Sequence, residues 1–128
     1  MSTIFYKLLK IIFFHKLCRL GCKTGIQIGL GTCGEGLTIW HYGPIIVNGK
    51  ARLGRNCTLY PGVLIGHKST EGGAAVIGNN VFIGAGTKII GEVHIGNNVT
   101  IGQNCVITKD IPDNAVVVCG APLRYLNK

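Results

Sequence analysis

Acidic residues are scarce in this chain: five Asp and Glu stand against 13 Lys and Arg, a formal net charge of +8 over 128 residues. No run of like charges gathers the excess, and nothing marks a groove reader or an aromatic stacking platform, so nucleic acid is not an expected partner. The surplus suits an anionic, phosphate-rich ligand or an acidic membrane surface. Missing too is an uninterrupted apolar stretch long enough to span a bilayer, because lysines break up the one candidate, residues 3–20. Cys18 and Cys22 have no second Cys or His pair at zinc-site spacing, and no signal-peptide pattern precedes them. The six cysteines are therefore expected to be free thiols in a reducing cytoplasm, and no metal is expected.

What is abundant is repetition. Residues 95–110 read IGNNVTIGQNCVITKD, with Ile95, Ile101 and Ile107 spaced by six. A helix repeats its buried face at three and four residues and a half-buried strand at two, so a period of six belongs to a repeat architecture. The same ruler passes through Val47, Leu53, Leu59, Ile65, Glu71, Ile77, Ile83 and Ile89, of which only Glu71 is not a branched aliphatic. Four residues after each comes a mostly small residue, among them Ala51, Cys57, Val63, Ala75, Val81, Thr87, Val99 and Cys105. Three after come types that tolerate positive φ, including Asn56, Gly62, Asn80, Gly86, Asn98, Asn104 and Asp110.

Each six is thus a short strand and a turn, and three such sides close one triangular turn of a parallel β-solenoid. Strict steps of 18 predict Ile65, Ile83 and Ile101 as one buried column, and Leu59, Ile77 and Ile95 as another. A hydrophobic content of 47% is high for a soluble monomer of this length, and a buried subunit interface would account for it. Cys57 and Cys105 fall on small inward positions and read as core.

Ahead of the coils, residues 3–20 space apolar side chains as a helix does, with Lys7, Lys10 and Lys16 interleaved. The favoured role is packing on the open solenoid end or on a neighbouring subunit, with contact at a membrane interface the alternative. Residues 1–24 are thus a helix and linker, and residues 25–128 the solenoid domain, opening on the Gly-rich, degenerate coil GIQIGLGTCGEGL.

Chemistry is expected where the ladder breaks. The first break, LTIWHYGPIIVNGKARLG at 37–54, changes phase between Ile45 and Val47 and carries His41 and Gly43. The second, IGHKSTEGGAAVIG at 65–78, would place Glu71 inward between Leu53 and Ile89. A buried unpaired carboxylate is costly, so residues 67–74 are expected to leave the coil as a loop.

The repeat is similar to that of the hexapeptide-repeat acyltransferases. That resemblance implies a left-handed parallel β-helix, a homotrimer, and active sites in the grooves between adjacent subunits. LTIWHYGPIIVN, IGAGTKIIGEVHIG and the closing KDIPDNAVVVCGAPLRYL, with its Gly-x-Pro turn, resemble the serine acetyltransferase branch across residues 25–126. The resemblance implies acetyl-coenzyme A as co-substrate and a small acceptor, L-serine or a sugar hydroxyl. It puts His41 at the general base, Gly66 near the developing oxyanion, and Ala85 and Gln103 along the coenzyme A groove. An imidazole suits that role, taking a hydroxyl proton near neutral pH and returning it to the leaving thiolate.

The chain also departs from that branch. Trp40 stands where the branch has an aspartate before the base, GGAAV replaces an Arg-His pair in a longer loop, and Ile26 replaces the aspartate that orients the base. Glu35 is the acid nearest His41 in sequence. His67 either replaces the missing loop histidine or decorates the loop. Three other functions compete: a sugar O- or N-acetyltransferase of surface polysaccharide synthesis, a non-catalytic β-helix scaffold, and a β-helix carbonic anhydrase. The last needs two histidines five residues apart, which His41, His67 and His94 do not supply.

Overall fold

The computed structural model describes residues 2–69 and 71–120. Helix α1 (Ser2–Thr24) is followed, among these residues, by β1 (Ile26–Ile28), β2 (Thr38–Ile39), β3 (Ile45–Val47), β4 (Arg52–Leu53), β5 (Thr58–Leu59), β6 (Leu64–Gly66) and β7 (Val76–Ile77). Then come β8 (Phe82–Ile83), β9 (Lys88–Ile90), β10 (His94–Ile95), β11 (Thr100–Ile101), β12 (Val106–Ile107) and β13 (Val116–Val117). The strands make three faces of a triangular solenoid, all pairings parallel. Face A stacks β1-β3-β6-β9-β12, face B stacks β4-β7-β10, and face C stacks β2-β5-β8-β11-β13.

Each strand points an aliphatic inward, and β3 two, Ile45 and Val47. Ile28, Val47, Ile65, Ile89 and Ile107 form the face A column. Leu53, Ile77 and Ile95 form that of face B, which Cys33 and Ile111 extend at its ends. Ile39, Leu59, Ile83, Ile101 and Val117 form that of face C. The columns predicted from steps of 18 are therefore wrong across the second break. Leu59 pairs with Ile83, 24 residues on, whereas Ile83 to Ile101 is the regular 18. The loop after Gly66 consumes one whole step of six, so the period stays in phase while every later residue moves round by one face. Glu71 is exposed on that loop, as the buried-carboxylate argument requires, and Leu53 and Ile89 belong to different faces.

Small residues fill the corners. Ala51, Cys57, Val63, Ala75, Val81, Thr87, Val99 and Cys105 are all buried. Thr87 survives there because its hydroxyl donates to the Gly102 carbonyl at 2.9 Å and accepts the Cys105 N–H at 3.3 Å. At the corner between faces B and C, Asn56, Asn80, Asn98 and Asn114 all take positive φ. Each carboxamide in turn donates to the next, at 3.3, 3.0 and 3.0 Å. Asp110 is not among the positive-φ residues; its carboxylate instead accepts the His94 N–H at 2.8 Å.

Within one chain, helix α1 packs on the solenoid end only towards its C-terminus. Its last turn docks at β1, where Gly21 is buried so closely against the Ile26 carbonyl that a Cβ would lie 2.8 Å from the oxygen. Gly25 ends the helix with φ 74° and donates to the Gly21 carbonyl at 2.8 Å, a left-handed C-terminal cap. Most of the helix's apolar side chains nevertheless stay in solvent. Ala121 and Pro122, which complete the expected Gly-x-Pro turn, lie outside the described residues.

Candidate active site

The corner where face C turns into face A is regular in three coils and irregular in one. Leu59 to Ile65, Ile83 to Ile89 and Ile101 to Ile107 each span six residues, whereas Ile39 to Val47 spans eight. The two extra residues push Trp40, His41 and Tyr42 outward, all three exposed. Gly43 makes the bulge possible. Its φ is 145°, and a Cβ there would lie 2.7 Å from Pro61 Cβ in the coil beneath.

The His41 ring meets the Tyr60 ring edge-on, with centroids 5.5 Å apart at 66°, and Tyr60 leans on Phe82 at 5.2 Å. This aromatic staircase fixes the imidazole from one side. No side-chain hydrogen bond to its ring nitrogens occurs among the described residues. Pro61, Ala85 and Gln103, each two residues past an inward position of face C, stack along this same corner, with Gly43 and Pro44 in register above Pro61 and His41 bulged outward beside them. Lys88 folds over this corner, its ammonium donating to the Gly62 and Gly86 carbonyls at 3.1 and 2.6 Å.

The other candidates lie elsewhere. Glu35 sits at the B–C corner with its side chain exposed, separated from His41 by β2, and does not reach the ring. Gly66 and His67 close the far end of face A, at the A–B corner. Asn48 accepts the Lys50 N–H at 2.8 Å with its carbonyl oxygen, so its amide donates to His67 Nδ1 at 2.8 Å. That places the neutral imidazole's proton on Nε2. The loop is tied to this edge through Lys50 Nζ to the Gly72 carbonyl at 3.4 Å and the Gly73 N–H to Glu92 at 2.5 Å. Within one chain, then, His41, Ala85 and Gln103 share one edge of face A, while Gly66 and His67 share the opposite edge. His41, Ala85 and Gln103 line none of the three described cavities.

Tyr60, Phe82 and Lys88 were not singled out from the sequence. Tyr60 comes beneath Trp40 only once the bulge's two extra residues are counted, since 18 residues on from Trp40 falls Thr58, and Phe82 and Lys88 follow only once the loop's extra step is counted as well. The thiols of Cys57 and Cys105 are core groups, not nucleophiles. Burial pushes both above the ordinary thiol value of 9.0, and for Cys105 the adjacent Cys119 adds to the effect.

Parallel triangular coils with a six-residue aliphatic ladder are the architecture of the hexapeptide transferases, and the comparisons with known proteins agree. The family profile described as "Bacterial transferase hexapeptide (six repeats)" matches residues 74–109. Among solved structures, serine acetyltransferase isoform 3 from Entamoeba histolytica, in complex with cysteine, aligns at 32% identity and TM-score 0.79, over 88% of this chain and 41% of that one. The Neisseria gonorrhoeae serine acetyltransferase aligns at 29% identity and TM-score 0.78, over 93% and 48%. Soybean serine acetyltransferase complexed with serine aligns at 29% and TM-score 0.62, over 78% and 40%. The chain thus spans less than half the length of these relatives. A search of curated proteins gives no significant match. The fold is the left-handed parallel β-helix. The chain thus carries the repeat of the bacterial hexapeptide transferases and is similar in fold and sequence to serine acetyltransferases.

Proposed function

We propose that this chain is an acetyl-coenzyme A-dependent O-acetyltransferase in which His41 activates the acceptor hydroxyl. The observation that carries the reading is the two-residue insertion at one corner, which lifts an imidazole out of the ladder at the corner that Ala85 and Gln103 also occupy. The thioester donor would lie along that corner, its carbonyl carbon near His41. As the acceptor oxygen attacks, the imidazole takes its proton; when the tetrahedral intermediate collapses, the leaving thiolate takes the proton back. Backbone N–H groups near Gly66 of an adjacent chain would hold the oxyanion. That arrangement explains why His41 and Gly66 lie at opposite edges of one face, and it calls for a homotrimer. Cytoplasmic placement accords with six free thiols.

L-serine is the first acceptor, because relatives of this branch are serine acetyltransferases, one of them in complex with serine. A sugar hydroxyl is the second reading. It is favoured by exposed Trp40 and Tyr42 flanking His41, where a charged amino acid would call for ionic partners. Release of free thiol from acetyl-coenzyme A, measured against serine, homoserine and a set of sugar nucleotides, tests both. Turnover with serine supports the first; turnover with sugars beside inactivity on serine reverses the order. Absence of acetyl-coenzyme A binding in calorimetry would leave a non-catalytic scaffold.

A further inference from the structure

Helix α1 is not explained by acyl transfer. Its residues divide along the axis. From Ile4 to Phe14 the only charges are Lys7 and Lys10, and the rest are apolar apart from the Tyr6 hydroxyl. From His15 to Thr24 the helix carries Lys16, Arg19 and Lys23, which at spacings of three and four share one stripe. It contains no Asp or Glu. The apolar half is bare in the chain: Phe5 is 68% exposed and Phe13 64%, and Ile4, Leu8, Ile11 and Phe14 are all more than half exposed. Open apolar grooves of about 540 and 890 Å³ separate the helix from the first coils, so the solenoid does not cover it.

We propose that α1 docks the protein on an anionic lipid surface, its apolar half dipping obliquely into one leaflet and its basic stripe resting on the headgroups. Eleven helical residues rise about 16 Å, roughly half of a ~30 Å hydrocarbon core, so the segment enters a leaflet without crossing. No described helix is long and apolar enough to cross a membrane. The lysines at 7 and 10 have stems long enough to snorkel, and Lys10 already lies 4.9 Å over the Tyr6 ring. Charge selects lipid over a second copy. Packing two such helices together would bring their five cations each into one unbalanced cluster, whereas an anionic bilayer neutralises them.

The test is flotation of the full chain with vesicles rich in phosphatidylglycerol and with vesicles of phosphatidylcholine alone. Binding to the anionic vesicles, weakened by raising salt from about 0.1 to 0.5 M, is the expected result. Replacing Lys16→Glu, Arg19→Glu and Lys23→Glu together should lower partitioning on the order of a hundredfold or more, and Phe5→Ser with Phe13→Ser at least tenfold. All five side chains are exposed, so melting curves should match the parent protein. Hydrogen exchange over residues 4–14 should slow only when anionic vesicles are added. No flotation, equal flotation on neutral vesicles, or indifference to the charge reversals would overturn the proposal. So would protection of residues 4–14 in lipid-free protein that vesicles leave unchanged, since a second copy would then cover the helix. None of these readouts involves acyl transfer, so this inference and the proposed activity stand or fall separately.

Discussion

His41 owes its position to Gly43 and its surroundings to Tyr60, and no carboxylate hydrogen-bonds its ring among the described residues. The ring is held by packing alone, so its loss should leave the structure intact while removing the proton transfer proposed for it. His41→Ala is expected to lower thiol release on the order of a hundredfold or more, with acetyl-coenzyme A affinity in calorimetry nearly unchanged, because the proposed site holds the donor's arm along coil backbone and not by this ring. A folded variant turning over at the parent rate would remove the assignment. His67, exposed and engaged by Asn48, should cost less when changed to alanine. The buried thiols act on stability instead. A thiol held neutral by burial favours the fold fully below its unfolded-state value near 9.0 and loses that contribution as pH rises through the higher folded value. Urea midpoints should therefore be flat in this respect from neutrality to about pH 8 and fall above 9. The fall should be shallower in Cys57→Ala and shallowest in the double variant with Cys105→Ala. Equal alkaline slopes in all three proteins would show that other groups govern it.

Each strand sets an inward aliphatic beside outward residues, and the energetics of the element reduce to that contrast. Ile83, fully buried between Leu59 and Ile101, should cost about 2–5 kcal/mol as Ile83→Ala, whereas Val116→Ala, on the exposed side of β13, should stay within about 0.5 kcal/mol. Equal shifts in urea midpoint would contradict the assigned faces. The same contrast explains what the sequence made legible. A period of six reports which residues point inward, because every inward slot needs a branched aliphatic whichever face it lies on. It cannot report which face, because a loop one full step long leaves the period intact. The inward list therefore held, and so did the columns after the loop, Ile83 with Ile101 and Ile77 with Ile95, while Ile65 and Leu59 before it fell on other faces. The site was legible to the same depth. His41 stood out as a break in phase, but Tyr60, Phe82 and Lys88 came under it only through the corrected register. Glu35 and His67 were close to it in sequence or in chemistry, and the triangular section sent them to other corners.

At the scale of the whole molecule, one chain exposes more surface than a compact monomer of its mass would. Its accessible area is 9144 Å², against about 6,600 Å² expected for a compact monomer of this mass. The projecting helix accounts for part of the excess, and exposed Ile46, Val76 and Val106 on the coil faces for more. Burying about 800 Å² per chain at each of two interfaces is what a trimer would supply. Light scattering at micromolar concentration should give the mass of three chains, and a stable monomer would count against both the assembly and a shared site. Complementation tests the sharing more sharply. His41 lies at one edge of face A and Gly66 at the other, so a site built between chains takes each from a different copy. Gly66 has ordinary backbone geometry, and an added Cβ would first meet Ile90 at 3.7 Å, so Gly66→Val should fold. His41→Ala and Gly66→Val, each expected to be inactive alone, would in a randomly mixed trimer place an intact His41 opposite an intact Gly66 in about a quarter of the sites. Co-expression should therefore restore about a quarter of parental turnover, while physical mixing of preformed trimers restores none. No recovery in co-expressed trimers of confirmed mixed composition would place the whole site on one chain, and His41 would then need its oxyanion partner among the backbone groups of its own corner.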